Sequence, residues 1–129
     1  MLSDPVASAL TKIKNAETAS KKECVIGPAS KLLGEVLRVA KEGDYISNFE
    51  LLSEKGKRFY KVELSGKINA CKAVKPRFAV KKDEFERYEK RYLPARDVGI
   101  IVVSTSSGVM NHNESKAKNL GGRLVAYFF

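Results

Sequence analysis

Ile100-Ile101-Val102-Val103-Ser104-Thr105-Ser106-Ser107-Gly108-Val109-Met110-Asn111 is the stretch on which the reading of this chain turns. A run of Ile and Val followed by four hydroxyl side chains and a glycine predicts a buried strand that opens into a loop. Asn111, with Glu114 three residues on, has the spacing of a capping box, so a short helix is expected to begin there. The paired Gly121-Gly122 can supply the positive φ that ends it. Arg123 to Phe129 then alternates toward aromatics, as a closing strand would. The hydroxyls are thus expected at a strand end beside a helix N-terminus. Ser and Thr hydroxyls both donate and accept, so they can bond phosphate oxygens, ribose hydroxyls and base edges without carrying charge. A helix N-terminus and glycine-flanked amides add donors for an anion. The alternative is a tight solvated turn, for which Ser and Gly are equally suited.

Upstream of this stretch, Ile68 to Val74 and Arg77 to Val80 read as short strands, with Pro76 limiting the second to an edge or a bend. Asp83 to Arg91 is charge-dense, and Phe85, Tyr88 and Tyr92 share one face of a short amphipathic helix. Its basic residues alternate with Glu84, Glu86 and Glu89, so intrahelical ion pairing is the alternative reading for part of them. Lys75, Arg77 and Arg96 have fewer acidic neighbours and are the better candidates for phosphate contacts. Met110 and Val109 are expected to anchor the core, and Tyr127, Phe128 and Phe129 to pack rather than stack on bases.

Nearer the N-terminus, Ser3-Asp4-Pro5 is a helix start, and Val6, Leu10 and Ile13 form its buried stripe. Lys22 to Gly27 reads as a strand, ended by Pro28. Ser30 or its neighbour caps a second helix whose stripe is Leu33, Val36, Leu37 and Ala40, with Gly43 at its C-terminus. Lys31 sits in the first turn, where the helix dipole disfavours a cation and a bound phosphate would remove the conflict. Tyr45 to Leu52 and Arg58 to Leu64 form a hairpin across residues 53–57. The fold class is therefore α+β. An N-terminal αβαββ unit over residues 1–64, with two helices on one face of a small sheet, precedes a mainly β unit over residues 65–129 with short helices. The expected core of the first unit is Leu10, Ile13, Ile26, Leu33, Val36, Leu37, Ile46, Phe49, Tyr60 and Val62.

The 129 residues carry 24 basic and 15 acidic groups, a net charge of +9. Residues 1–64 hold 11 basic and 9 acidic groups (+2), and residues 65–129 hold 13 and 6 (+7), so the half with the hydroxyl stretch is the basic one. Such an excess points to a polyanion, nucleic acid first. Cys24 and Cys71 form no C-x-x-C pair and read as reduced packed thiols. No apolar run approaches the ~18 residues of a membrane span, no signal-peptide core is visible, and a cytoplasmic protein is expected. Walker A, H-E-x-x-H and G-x-G-x-x-G spacings are absent, and a single histidine, His112, rules out multi-histidine metal sites. His112 is expected on the surface of its helix. A Ser106–His112 nucleophile and base lack the G-x-S-x-G elbow. No catalytic residue, metal or cofactor is expected.

Ser104 to Met110, the short helix and Gly121-Gly122 resemble the C-terminal signature of the small-subunit ribosomal protein eight family. Asp4-Pro5 through Lys12-Ile13-Lys14-Asn15-Ala16 resembles its opening helix, and Pro28-Ala29-Ser30-Lys31 the start of its second. Lys75-Pro76-Arg77-Phe78 and Tyr92-Leu93-Pro94-Ala95-Arg96-Asp97 resemble the archaeal and eukaryotic branch. The resemblance runs in order through nearly the whole chain. It implies a structural constituent of the small subunit that binds the central domain of the ribosomal RNA early and organises the platform. It further implies contact with neighbouring small-subunit proteins, and a monomer outside the ribosome. The implied RNA-binding residues are Ser104, Thr105, Ser106, Ser107, Gly108, Asn111, Gly121 and Gly122 in the second unit, with Lys75, Arg77 and Arg96. In the first unit they are Asp4, Thr11, Lys14, Asn15, Ser30 and Lys31. Two positions depart from bacterial members: Ser107 stands where they have lysine, and Arg123 where they have glutamate. Two competing classes remain: a DNA-coating or chromatin protein, indifferent to Ser106, and a small hydrolase using Ser106.

Overall fold

The computed structural model describes residues 5–75, 77–95 and 98–129. Ser3, Asp4, Pro76 and Arg96 therefore lie outside the described residues. The first helix, α1 (Pro5–Thr18), buries Val6, Ala9, Leu10, Ile13 and Ala16, the stripe that its spacing demands. Strand β1 (Glu23–Ile26) follows, then α2 (Lys31–Glu42), capped by Ser30, whose hydroxyl oxygen accepts from the Leu33 N–H at 3.1 Å. Gly43 is the C-cap of α2, but its φ is −85°, and Asp44 is the residue that turns left-handed, at φ 64°.

Strands β2 (Ile46–Glu54) and β3 (Lys57–Leu64) form the expected hairpin with a tighter turn than five residues. Lys55 and Gly56 both have positive φ (51° and 76°), so a two-residue turn suffices and the ladder runs on to Glu54–Lys57. The three strands make a sheet in the order β1-β3-β2, all antiparallel. Of the expected core, Leu10, Ile13, Ile26, Leu33, Val36, Leu37, Ile46 and Val62 are buried, whereas Phe49 and Tyr60 are only half-buried at the margin of the cluster.

The second sheet contains β4 (Cys71–Ala73), β5 (Ala79–Val80), β6 (Ile100–Thr105), β7 (Gly108–Asn111) and β8 (Gly122–Phe128). β8 is its spine, pairing with β6 along one edge and with β4 and β5 along the other, while β7 pairs with β6. The short helices are α3 (Phe85–Tyr92) and α4 (His112–Ala117). β7 was not expected: Gly108-Val109-Met110-Asn111 is too short and mixed to alternate visibly, and reads as loop until β6 is there to pair with it.

Helices α1 and α2 lie between the two sheets. α1 packs on β1 and β4, and α2 on β2 and β7. The larger core cluster consequently runs from Leu10, Ile26 and Leu37 through to Val102, Ala126 and Phe128. The second sheet's other face buries Ile101, Val103 and Leu124 beneath Phe85 of α3 and Leu93. A register shift between Val102 and Val103 leaves Val125 unopposed on β8, a bulge that increases local twist.

Candidate nucleic-acid interface

The hydroxyl stretch is the end of a β-hairpin, which corrects the expectation of a loop running from Ser104 into α4. Ser104 and Thr105 belong to β6, opposite Val109 and Gly108, and only Ser106 and Ser107 form the turn. Neither serine has positive φ; Gly108 takes the left-handed position at φ 116°, which this turn geometry requires of its closing residue. The Thr105 hydroxyl holds the turn together. It donates to the Gly108 carbonyl at 2.8 Å and accepts from the Ser107 N–H at 3.1 Å. Among the described residues, the hydroxyls of Ser104, Ser106 and Ser107 make no hydrogen bond inside the protein, and Ser106, Ser107 and Gly108 are exposed. The tip thus carries the exposed hydroxyls of Ser106 and Ser107, with the half-buried Ser104 beside them on β6.

Cations gather beside that tip through sheet register. β8 sets Arg123 directly next to Ser104 on one side and next to Ala79 on the other. The Arg123 guanidinium donates to the Arg77 carbonyl at 3.4 Å, which brings two arginine positions together. Lys81 and Lys82 adjoin through their backbone, packed against Gly121, and both side chains are exposed. Sequence reasoning missed Arg123 as a member of this group and counted it only as a departure from a family pattern. The available signal was register: a basic residue at the start of a strand paired to the hydroxyl strand.

Gly121 and Gly122 hold this arrangement close, for a reason other than the one expected. Neither has positive φ; α4 is terminated by its C-cap Lys118 and by the left-handed Asn119 at φ 56°. A β-carbon on Gly121 would lie 2.5 Å from the Val80 carbonyl oxygen, and one on Gly122 would collide with the Ser104 carbonyl oxygen. The pair is glycine because two backbones approach there. Asn111 sits at the far end of β7, where its side-chain oxygen caps α4 by accepting from the Glu114 N–H at 2.8 Å. The reciprocal half of the capping box is replaced by an ion pair of Glu114 with Lys118 at 3.2 Å. Arg38 of α2 braces the hairpin from behind by donating to the Val109 carbonyl.

The remaining candidates lie elsewhere. Lys75 and Arg77 are exposed in the segment between β4 and β5. Thr11, Lys14 and Asn15 are exposed on α1, where the Thr11 hydroxyl donates to the Ala7 carbonyl at 2.9 Å. Ser30 and Lys31 occupy the start of α2, with the Ser30 hydroxyl oxygen engaged as cap. Asp4 and Arg96 fall outside the described residues.

His112 is the clearest correction: it is 3% exposed, not a surface residue. Its Nδ1 accepts from the buried Ile101 N–H at 3.0 Å, and its Nε2 lies 3.1 Å from the Glu89 carboxylate, which also pairs with Lys116. Intrahelical pairing was the alternative for the charged residues of α3; Glu89 instead ties α3 to α4. With both ring nitrogens engaged, at the opposite end of β7 from the turn, His112 is badly disposed to serve Ser106 as a base. Burial pushes the Cys71 thiol up to about 12 and raises Cys24 as well, so neither is a thiolate at neutral pH. Among the described residues, no three His, Cys, Asp or Glu side chains are grouped to hold a metal ion, and no helix is long and apolar enough to cross a membrane. Compared with known families, residues 4–129 match the family model for Ribosomal protein S8.

Proposed function

This chain belongs to the ribosomal protein S8 family, whose members are RNA-binding constituents of the small ribosomal subunit, and on that premise we propose that it binds the central domain of the small-subunit RNA and organises the platform. The observation that carries the reading is the hairpin tip: three serine hydroxyls with no hydrogen-bond partner among the described residues, beside Arg123 and Arg77. An A-form helix hides its base edges in a deep major groove, so a protein has to read the shallow minor groove, 2′-hydroxyls and distorted or unpaired bases. Neutral hydroxyls on a narrow tip can approach such a surface closely. Ser104, Ser106 and Ser107 are the reading groups, while Thr105, Gly108, Gly121 and Gly122 give the tip its shape and Asn111 anchors its base through α4.

The cations supply affinity rather than sequence discrimination. Arg77, Lys75 and Arg123 meet phosphates of the same RNA segment, and Thr11, Lys14, Asn15, Ser30 and Lys31 meet a second one. Binding two segments at once holds RNA in a fixed geometry, a structural role with no chemical step, exercised in the cytoplasm as part of the ribosome and beside neighbouring small-subunit proteins.

The test is binding of the chain to a central-domain RNA fragment, a scrambled hairpin and duplex DNA across a salt series. The cognate fragment is expected to win by ~4 kcal/mol or more. Ser106→Ala is expected to cost ~1–3 kcal/mol at an unchanged salt slope, and Arg123→Gln to lower that slope by about 1. Equal binding to all three ligands with a silent Ser106→Ala would overturn the reading and favour a DNA-coating protein.

A further inference from the structure

The outer face of the three-stranded sheet, turned away from α1 and α2, has the opposite character to the hairpin tip. Ile26, Val62 and Phe49 point inward, so alternation turns Glu23, Val25, Phe59, Lys61, Glu63, Glu50, Leu52 and Glu54 outward. Three of the four large hydrophobic residues exposed among the described residues lie on this sheet, and two of them, Val25 (52%) and Leu52 (37%), are on this face. Between them lies Phe59, whose ring rests on Gly27, where a β-carbon would collide with it. Past the end of β1 lies a shallow groove in which Pro28, Ala29 and Phe59 are flanked by Lys57 and Arg58.

The charge around this strip is acidic. Glu23, Glu50, Glu54 and Glu63 face outward against Lys57 and Lys61, in a chain whose net charge is +9. Glu23 and Glu63 are directly opposed across β1 and β3, a like-charge pair that destabilises a sheet. Lys61 offsets part of that by pairing with Glu23 at 3.3 Å and stands opposite Glu50 in the β2–β3 ladder, so that Glu63, among the described residues, has no ion pair. Phosphates would be repelled here, and water alone would leave both the apolar strip and the carboxylate pair unfavourably placed.

We propose that this face docks a basic polypeptide, a lysine- or arginine-bearing segment of a neighbouring protein in the small subunit. An apolar side chain of that segment fills the space between Val25, Leu52 and Phe59, and a cation settles against Glu63 and Glu23. The surface is distinct from the RNA-binding tip and does not depend on the reading of that tip.

The test replaces Leu52 with the photo-cross-linking residue p-benzoylphenylalanine in the full chain and assembles it into small subunits, isolated by sedimentation to select those that have incorporated it. Irradiation is expected to join the chain to one protein of strongly basic composition. Glu63→Lys, which sets a cation opposite Glu23, is expected to lower that yield at least fivefold, while the melting temperature of the free chain does not fall and its RNA affinity does not weaken. Cross-linking to RNA or to an acidic protein, no protein cross-link in sedimented subunits, or a yield indifferent to charge reversal would overturn the proposal.

Discussion

At Gly122 the chain has no room for a side chain, because the Ser104 carbonyl occupies the space a β-carbon would take. The same residue therefore controls both the β6–β8 ladder and the position of the hydroxyls. Gly122→Ala is expected to lower stability by ~1–3 kcal/mol and to weaken RNA binding with it. Ser106→Ala should weaken binding alone, and denaturant titration beside an RNA-binding curve separates the two. His112 works through packing: His112→Leu removes the acceptor for the Ile101 N–H and the partner of Glu89, and a loss of ~1–3 kcal/mol in urea unfolding is expected. Glu17 carries a pH signature. One of its carboxylate oxygens is buried without a hydrogen-bond partner among the described residues, and burial raises its pKa above the ordinary 4.5, against the opposing Gly66 N–H. The native state then holds that proton more tightly than the unfolded chain. Its stabilising contribution is complete below the unfolded value and is lost as pH rises through the folded one. Glu17→Gln should accordingly melt above the parent at pH 7, with the difference closing below pH ~4.5.

Among elements, those with a long one-sided pattern were legible in the sequence. The stripe Leu33, Val36, Leu37, Ala40 with Ser30 ahead of it defines α2, and the structure supplies the capping bond that spacing implied. Ser30→Ala should cost ~1 kcal/mol in thermal unfolding, the usual worth of such a cap. Elements defined by pairing rather than by pattern were not legible. β7 has four residues and no alternation, so only its ladder with β6 makes it a strand. The hydroxyls were legible as a site by composition, but the turn-holding role of Thr105 rests on hydrogen bonds to Gly108 and Ser107 that composition does not reveal. Arg123 escaped because its neighbours are set by register, nineteen positions from Ser104 in sequence. His112 escaped because a lone histidine near a helix start gives no sign of the Glu89 facing it from another helix.

For the molecule as a whole, two helices shared by two sheets make one continuous core, so both sheets are expected to melt together. Far-ultraviolet dichroism and tyrosine fluorescence should give superimposable transitions, and two separated midpoints would contradict a shared core. The surface, by contrast, is divided: free hydroxyls and arginines at one end of the five-stranded sheet, apolar side chains and carboxylates on the outside of the three-stranded one. That division, with RNA at the first surface and protein at the second, is the central claim. Amide chemical-shift mapping of the full chain on addition of a central-domain RNA fragment tests it most directly. Shifts are expected at residues 104–108, 77 and 121–123, with a second set at 11–15 and 30–31, and none at 23–25, 50–52 or 59–63. A hairpin tip that stays silent while the acidic sheet face responds would contradict the account.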